Sequence, residues 1–322
     1  MGKKISLVWR SDVHLADEAP KSRKDNWVES LTDKLKQVGV LAELHGASAI
    51  LDGGDFFHIK SPILNSHWLT QQASDIHTKY PCPTYANIGN HDVKYGNTTY
   101  LDESPLGVLF SSQTFRRLYD THELVIEDAG IKVRVVGIPY HGTSYDMSRF
   151  NIKKQDEDWL VVVAHVLASK SGGTMFGAED VVSYQDLSGF DPDVWCFGHS
   201  HSNQGIEHLN GKHFVNIGSL SRGALNNEDF NRIPSVALLT FTKGTVALTE
   251  IPLSVKGAGD VFRVDEKKAA IEKSVSLEDF MDSLKDNLQC KTDGSLESVV
   301  RDMDLDSIVK ERLLHYIEIA RG

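Results

Sequence analysis

The chain has few cysteines, no long apolar run and no excess of positive charge, and each shortage argues against a class of protein. Only Cys82, Cys196 and Cys290 occur, widely spaced and without a CxxC pair. That argues against a disulfide framework and against thiolate zinc, and agrees with a reducing compartment. No apolar stretch approaches the roughly 20 residues of a membrane span. The first strand-like run starts almost at Met1, leaving no room for a signal peptide, so a cytoplasmic protein without membrane contact is expected. Met1-Gly2 with Ser6 matches a myristoylation pattern in form, but these residues simply lead into that strand. The formal net charge of -11 argues against a generic nucleic-acid binder, whose affinity comes mainly from neutralising phosphates. Basic clusters at Lys21-Ser22-Arg23-Lys24, at Arg116-Arg117 and at Arg149 with Lys153-Lys154 read as solvated surface. There is no repeat and no low-complexity tract.

What is present is ordinary for a globular protein: 322 residues, 40% of them hydrophobic and 25% charged. One large α/β domain with an appendage is the natural division. Asn26–His45 reads as an amphipathic helix with Trp27, Leu31, Leu35, Val38 and Leu41 on or near one face, between strand-like runs at Ile5–Trp9 and Ala47–Leu51. Further helices are expected over Asn65–Lys79 and Leu106–Tyr119. After residue 120 short strand-like runs dominate: Leu124–Glu127, Lys132–Ile138, Trp159–Ala164, Val194–Phe197, His213–Ile217, Val236–Phe241 and Val246–Ile251. Asp128–Ile131 and Lys243–Thr245 look like hairpin turns. The expected architecture is α/β, two stacked mixed β-sheets flanked by helices, with a small helical C-terminal region. Residues 1–255 form the main domain and 256–265 the linker. In 266–322 one helix is capped by Ser276 and another by Asp306.

Five clusters carry the chemistry, each just after a short apolar run. They are Asp12-Val13-His14, Gly54-Asp55, Gly89-Asn90-His91-Asp92, a lone His165 behind Val161-Val162-Val163-Ala164, and Gly198-His199-Ser200-His201. Loops at the carboxyl ends of strands are where α/β folds gather ligands. Five such loops bearing Asp, His and Asn read as a site for two divalent metals. Carboxylate, imidazole and amide oxygen suit Mn, Fe, Zn or Ni better than the all-oxygen cages of Ca and Mg.

In that order the five clusters resemble the calcineurin-like metallophosphoesterase family over roughly residues 5–222. The resemblance implies a four-layer sandwich in which Asp12, His14 and His201 hold one metal, Asn90, His165 and His199 the other, and Asp55 bridges them. A bridging water would become hydroxide near neutral pH and attack phosphorus in line. Mn is the expected metal, with Fe, Zn, Ni and Mg as alternatives. A histidine three residues beyond the bridging aspartate, in Gly54-Asp55-Phe56-Phe57-His58, resembles the SbcD-type DNA-repair nuclease branch. The acidic-arginine-glycine continuation of the protein phosphatases is absent there. By resemblance His91 faces the scissile phosphate as acid or electrostatic stabiliser, and His58 positions the diester; the alternative for His58 is a hydrogen-bonded histidine at a helix start. Asp92 either orients His91 or bonds local backbone, the latter preferred.

Ser219 and Arg222, in Gly218-Ser219-Leu220-Ser221-Arg222, are candidate phosphate contacts, a plain turn with a surface arginine being the alternative. Ser169–Gly177 is a candidate substrate loop or only a flexible connection. The expected function is a Mn-dependent phosphodiesterase acting on DNA, an SbcD-like exo- or endonuclease of repair and recombination. The alternatives are a phosphodiesterase for a small nucleotide or other diester, and a non-catalytic adaptor. The apolar stripes of the tail either pack on each other or on the main domain, the preferred outcome, or dock an SbcC-like ATPase subunit or a second copy of the chain as candidate partners.

Overall fold

The computed structural model describes residues 3–59, 64–94, 97–175 and 179–265, together with 300, 310 and 314. The chain divides into two compact units, Met1–Phe262 and Arg263–Gly322. The helix expected after Ser276 lies outside the described residues. Of the one expected after Asp306, Lys310 and Leu314 are described, and both are helical. Among the described residues no helix is long and apolar enough to cross a membrane.

The first unit opens with β1 (Ile5–Arg10), β2 (Ala49–Asp52), β3 (Thr84–Ala86) and β4 (Phe115–Arg117), which lie parallel in that order. Then come β5 (Glu123–Asp128), β6 (Ile131–Ile138) and β7 (Trp159–His165). A small sheet follows, made of β8 (Ala168–Ser169), β9 (Gly173–Met175) and β10 (Glu179–Ser183). Last are β11 (Val194–Gly198), β12 (Asn203–Leu209), β13 (Lys212–Ile217), β14 (Ser235–Phe241) and β15 (Val246–Pro252). The two large sheets have the orders β15-β14-β1-β2-β3-β4 and β12-β13-β11-β7-β6-β5. Both are parallel at the centre; the first is antiparallel at one edge and the second at both.

Alternation along β1 shows how the layers form. Ile5, Leu7 and Trp9 point into the core between the sheets, where they meet Val161, Val163, Val194, Cys196 and Leu239. Val8 points the other way, into a second core beneath α1 (Trp27–Leu44), α2 (His67–His77) and α3 (Pro105–Ser111). On the outer face of the second sheet Val162, Trp195, Phe197 and Phe214 pack against Tyr184, Leu187 and Phe150. Side chains of period two thus give each central strand two buried faces, and two mixed sheets flanked by helices result.

α1 begins where expected, with Asn26 accepting a hydrogen bond from the Glu29 amide as its N-cap. The expected helix over Leu106–Tyr119 is wrong in its second half. It ends at Ser111, Gln113 takes φ of 59°, and Phe115–Arg117 pairs with β3. The candidate loop at Ser169–Gly177 is not a plain connection either, because Gly173–Met175 pairs with β10. The turn at Asp128–Ile131 is a tight hairpin, with Ala129 and Gly130 both at positive φ.

Beneath α1 lies an unusual buried cation. Lys34 is 2% exposed, and its Nζ donates to the Leu220 carbonyl at 2.9 Å. Burial, with Arg23, Arg222 and Arg232 nearby, lowers its pKa to about 7. The folded chain therefore binds fewer protons than the unfolded chain between that value and the ordinary lysine range. Stability should rise with pH through this window, at up to about 1.4 kcal/mol per pH unit. Below it both states are protonated and the full cost of burial is present. Lys34→Met should flatten the rise between pH 7 and 9 in urea titrations; parallel profiles would refute this.

Candidate metal centre

All five chemical loops leave the carboxyl ends of parallel strands, from both large sheets, and meet at one end of the sandwich. Asp12 and His14 follow β1, and their amides donate to the carbonyls of Gly54 and Asp55 after β2 at 3.2 and 3.0 Å. His165 ends β7 and His199 follows β11. The packing leaves no room for side chains at two glycines. A Cβ on Gly54, whose φ is +100°, would lie 2.5 Å from the Gly89 amide, and one on Gly89 would lie 2.0 Å from Asp55 Oδ1. Asp12, His14, Asp55 and His199 all adopt positive φ, between 50° and 86°. Backbone strain concentrated at four residues that meet in one region is characteristic of functional sites.

The side chains converge as two groups able to hold a cation, Asp12 with His14 and His201, and Asp55 with His165 and His199. His14 Nε2 lies 2.8 Å from His201 Nε2, and both lie 3.9 Å from Asp12 Oδ1. Asp55 Oδ2 is 3.8 Å from His14 Nε2 and 3.5 Å from His165 Nε2, so one carboxylate faces both groups. His165 Nδ1–H donates to the Gly53 carbonyl at 2.8 Å, which turns Nε2 toward Asp55 and toward Asn90 Oδ1 at 3.3 Å. Burial alone would push Asp55 up, but His165, with His14 and His91, holds it well below the usual carboxylate range. Burial would lower His165, yet Asp55 raises it to about 9.

These donors fit two divalent cations. Two imidazole nitrogens face each other at 2.8 Å, and a third is aimed at two oxygens. Such lone pairs repel unless a proton or a cation lies between them. A third histidine group, His14, His58 and His91, adjoins the first.

His91 sits beside the clusters in a fixed pose. Its amide donates to Asp55 Oδ1 at 2.7 Å, and its Nδ1–H donates to the His58 carbonyl at 2.7 Å, leaving Nε2 available. The His58 ring stacks on it, with centroids 5.0 Å apart. His58 is itself exposed and touches His14 through Nδ1 at 3.2 Å.

Asp92 bonds backbone. Its carboxylate accepts from the amides of Asp55, Gly89 and Phe56 at 2.7, 2.8 and 3.1 Å, pinning the loop of Asp55 to that of Asn90. Ser219 and Arg222 are not brought to the centre as side chains. Ser219 Oγ donates to the Ser221 carbonyl and accepts from Arg232, and the Arg222 guanidinium donates to the carbonyls of Arg232 and Lys256. What this segment lends the site is backbone: the Ser219 and Ser221 amides donate to the carbonyls of His201 and Asp12.

Two supporting groups escaped the sequence analysis. Arg10 and Asp52, both fully buried, pair at 2.7 Å just before the Asp12 and Asp55 loops, and Asp52 also accepts from the Gly54 amide. Arg10 donates to His77 Nε2 at 2.7 Å; burial and that guanidinium keep His77 neutral, well below its ordinary range. The other is Glu179 on β10. His199 Nε2 lies 2.9 Å from Glu179 Oε1, and since a carboxylate only accepts, the proton is on Nε2 and the Nδ1 lone pair is left for a cation. Tyr145 donates to the same oxygen at 2.6 Å and accepts from the Leu167 amide, two residues beyond His165. Outer carboxylates of this kind are worth about 10–100-fold in metal affinity. Glu179→Gln should therefore weaken cation binding, measured by calorimetric titration of the metal-stripped protein, without unfolding it. Unchanged affinity would show that the contact with His199 is incidental.

Residues 7–203 match the calcineurin-like phosphoesterase family, more than half of the sequence, and the chain belongs to that family of metallophosphoesterase hydrolases. Among curated protein sequences none matches it. Solved structures with similar folds include a protein of Thermus thermophilus, at 14% identity over 77% of this chain and 99% of that one, TM-score 0.44. A purple acid phosphatase from seeds of yellow lupin, Lupinus luteus, is 16% identical over 80% of this chain and 53% of its own, TM-score 0.48. A dimetal phosphatase from Danio rerio is 10% identical over 78% and 99%, TM-score 0.44.

Proposed function

We propose that the chain is a Mn-dependent dimetal phosphodiesterase that cleaves DNA in the manner of the SbcD-type nucleases. In this reading Asp12, His14 and His201 hold one cation, Asn90, His165 and His199 the other, and Asp55 serves both. Two such cations would supply Lewis acidity toward a phosphodiester and an activated water. The observation that carries the reading is the stacked pair His58–His91 at the edge of the clusters. His91, locked through Nδ1–H to the His58 carbonyl, presents Nε2 to protonate the leaving oxygen as the P–O bond breaks. His58, exposed on the rim, supports the diester backbone on either side of the scissile bond. Arg10–Asp52 and Asp92 hold the loops in register, and Glu179 fixes His199.

A second copy of the chain or an SbcC-like ATPase as partner belongs to the same proposal, docked through residues 266–322. The test is metal-stripped protein reconstituted with Mn and offered linear duplex DNA, single strands and bis(p-nitrophenyl) phosphate in parallel. His58→Ala should lose DNA cleavage more than hydrolysis of the small diester. Equal losses on both would remove the polymer reading and leave a phosphodiesterase for small substrates.

A further inference from the structure

A cavity of about 510 Å³ adjoins the candidate metal centre, with His14, His58 and His201 among its lining residues. Its walls are mainly apolar: Ala16, Ala19, Pro20, Trp27, Ile59 and Ala224. We infer that this cavity seats one nucleoside of the phosphodiester whose phosphate lies on the clusters. The inference rests on the dimetal phosphodiesterase reading and extends it to the substrate class.

Three observations select the occupant. First, the volume lies in the range of pockets that enclose small ligands, about 300–1,000 Å³, and a nucleoside fits with room for its link to phosphate. Second, the charges suit a neutral group. Lys21 is the one lysine or arginine among the described lining residues, against the carboxylates of Glu18 and Asp229. The Asp229 carboxylate is already occupied, accepting from Arg232 and from the Ala224 amide at 2.8 Å each. With Asp229 paired, Glu18 offsets Lys21 and no net positive charge among the described lining residues is left for a second phosphate, so a base and sugar are favoured over an anionic tail. Third, His58 links cavity and chemistry: it lines the cavity and stacks on His91. A leaving or retained nucleoside beside His91 therefore passes over His58 into the apolar walls. An aromatic base against such walls gains burial and stacking of a kind that tolerates sequence.

The same nucleoside can come from a small dinucleotide or from a polymer, and the test separates them. Ala224 is exposed, and its contact with Asp229 is through the backbone, so Ala224→Trp can narrow the cavity without disturbing the core. Native and variant protein, each loaded with Mn, are given bis(p-nitrophenyl) phosphate, thymidylyl-thymidine and a twelve-residue oligodeoxynucleotide. The expected result is a fall of at least about tenfold in kcat/KM for the nucleoside-bearing substrates relative to the bare diester. A loss on the dinucleotide alone assigns the nucleoside to a small substrate; a loss on the oligonucleotide, to a polymer. In parallel, calorimetric binding of thymidine 5′-monophosphate to the loaded proteins should weaken by a similar factor in the variant. If the bare diester is cleaved but the ratios and the nucleotide affinity stay unchanged, the nucleoside inference is overturned alone. If the bare diester is not cleaved, the phosphodiesterase reading fails, and nucleotide binding still decides the cavity.

Discussion

Asp55→Asn is expected to lower turnover by at least about a thousandfold and to reduce the amount of bound metal, while the fold survives. The cause is its position between the two clusters. Oδ2 faces His165 Nε2 at 3.5 Å and His14 Nε2 at 3.8 Å, so one carboxylate would offset the charge of both cations. An amide keeps the shape and one oxygen but gives up the negative charge, and the mutual repulsion of two divalent ions is then less well screened. Metal-centred charge stabilisation is worth several kcal/mol, which is a thousandfold or more in rate. Asparagine can still accept from the His91 amide through Oδ1, so the neighbouring loop should stay in place. Metal content by elemental analysis, turnover on bis(p-nitrophenyl) phosphate and the thermal midpoint are measured together. Near-normal turnover at saturating Mn would show that Asp55 does not join two cations.

The clusters were legible in the sequence because parallel strands buried on both faces read as unbroken apolar runs. Trp159–Ala164 and Val194–Phe197 are such runs, and each is followed at once by a histidine-bearing loop. The two-sheet plan follows from the same runs and from the long α1 between β1 and β2. What stayed hidden depends on pairing between distant segments. β4 carries Phe115-Arg116-Arg117 at the end of a helical pattern, and only its neighbour β3 makes it a strand. β12, Asn-Gln-Gly-Ile-Glu-His-Leu, has no clean alternation and owes its conformation to β13.

Glu179 had no sequence signal, since an acidic residue after a glycine-rich stretch is ordinary until the fold brings it to His199. Arg222 misled in the opposite sense. A guanidinium beside small residues suggests an open phosphate fork, whereas here it is 5% exposed and bound to backbone carbonyls. Motif spacing thus located the residues that converge in groups able to hold a cation, and long-range contacts decided which groups support them.

His91→Ala should retain both metals yet lose about 10²–10⁴-fold in kcat on a dinucleotide, the range of a single general acid. The geometry leaves His91 a single uncommitted ring nitrogen. Its Nδ1 is committed to the His58 carbonyl at 2.7 Å, and its amide to Asp55, so only Nε2 remains for the reacting group. A nucleoside alkoxide leaving phosphorus needs a proton as the P–O bond breaks, and Nε2–H of His91 can deliver it. A p-nitrophenolate leaves readily without one. The loss on bis(p-nitrophenyl) phosphate should therefore be markedly smaller than on the dinucleotide, a contrast that simple damage to the centre does not produce. His91→Gln, which can donate a hydrogen bond but not transfer a proton, should recover little on the dinucleotide. Equal losses on both substrates, with metal content intact, would instead assign His91 to electrostatic stabilisation of the phosphoryl oxygens. Loss of a metal in His91→Ala would place it among the ligands, with His14 and His58, and end its assignment as the acid.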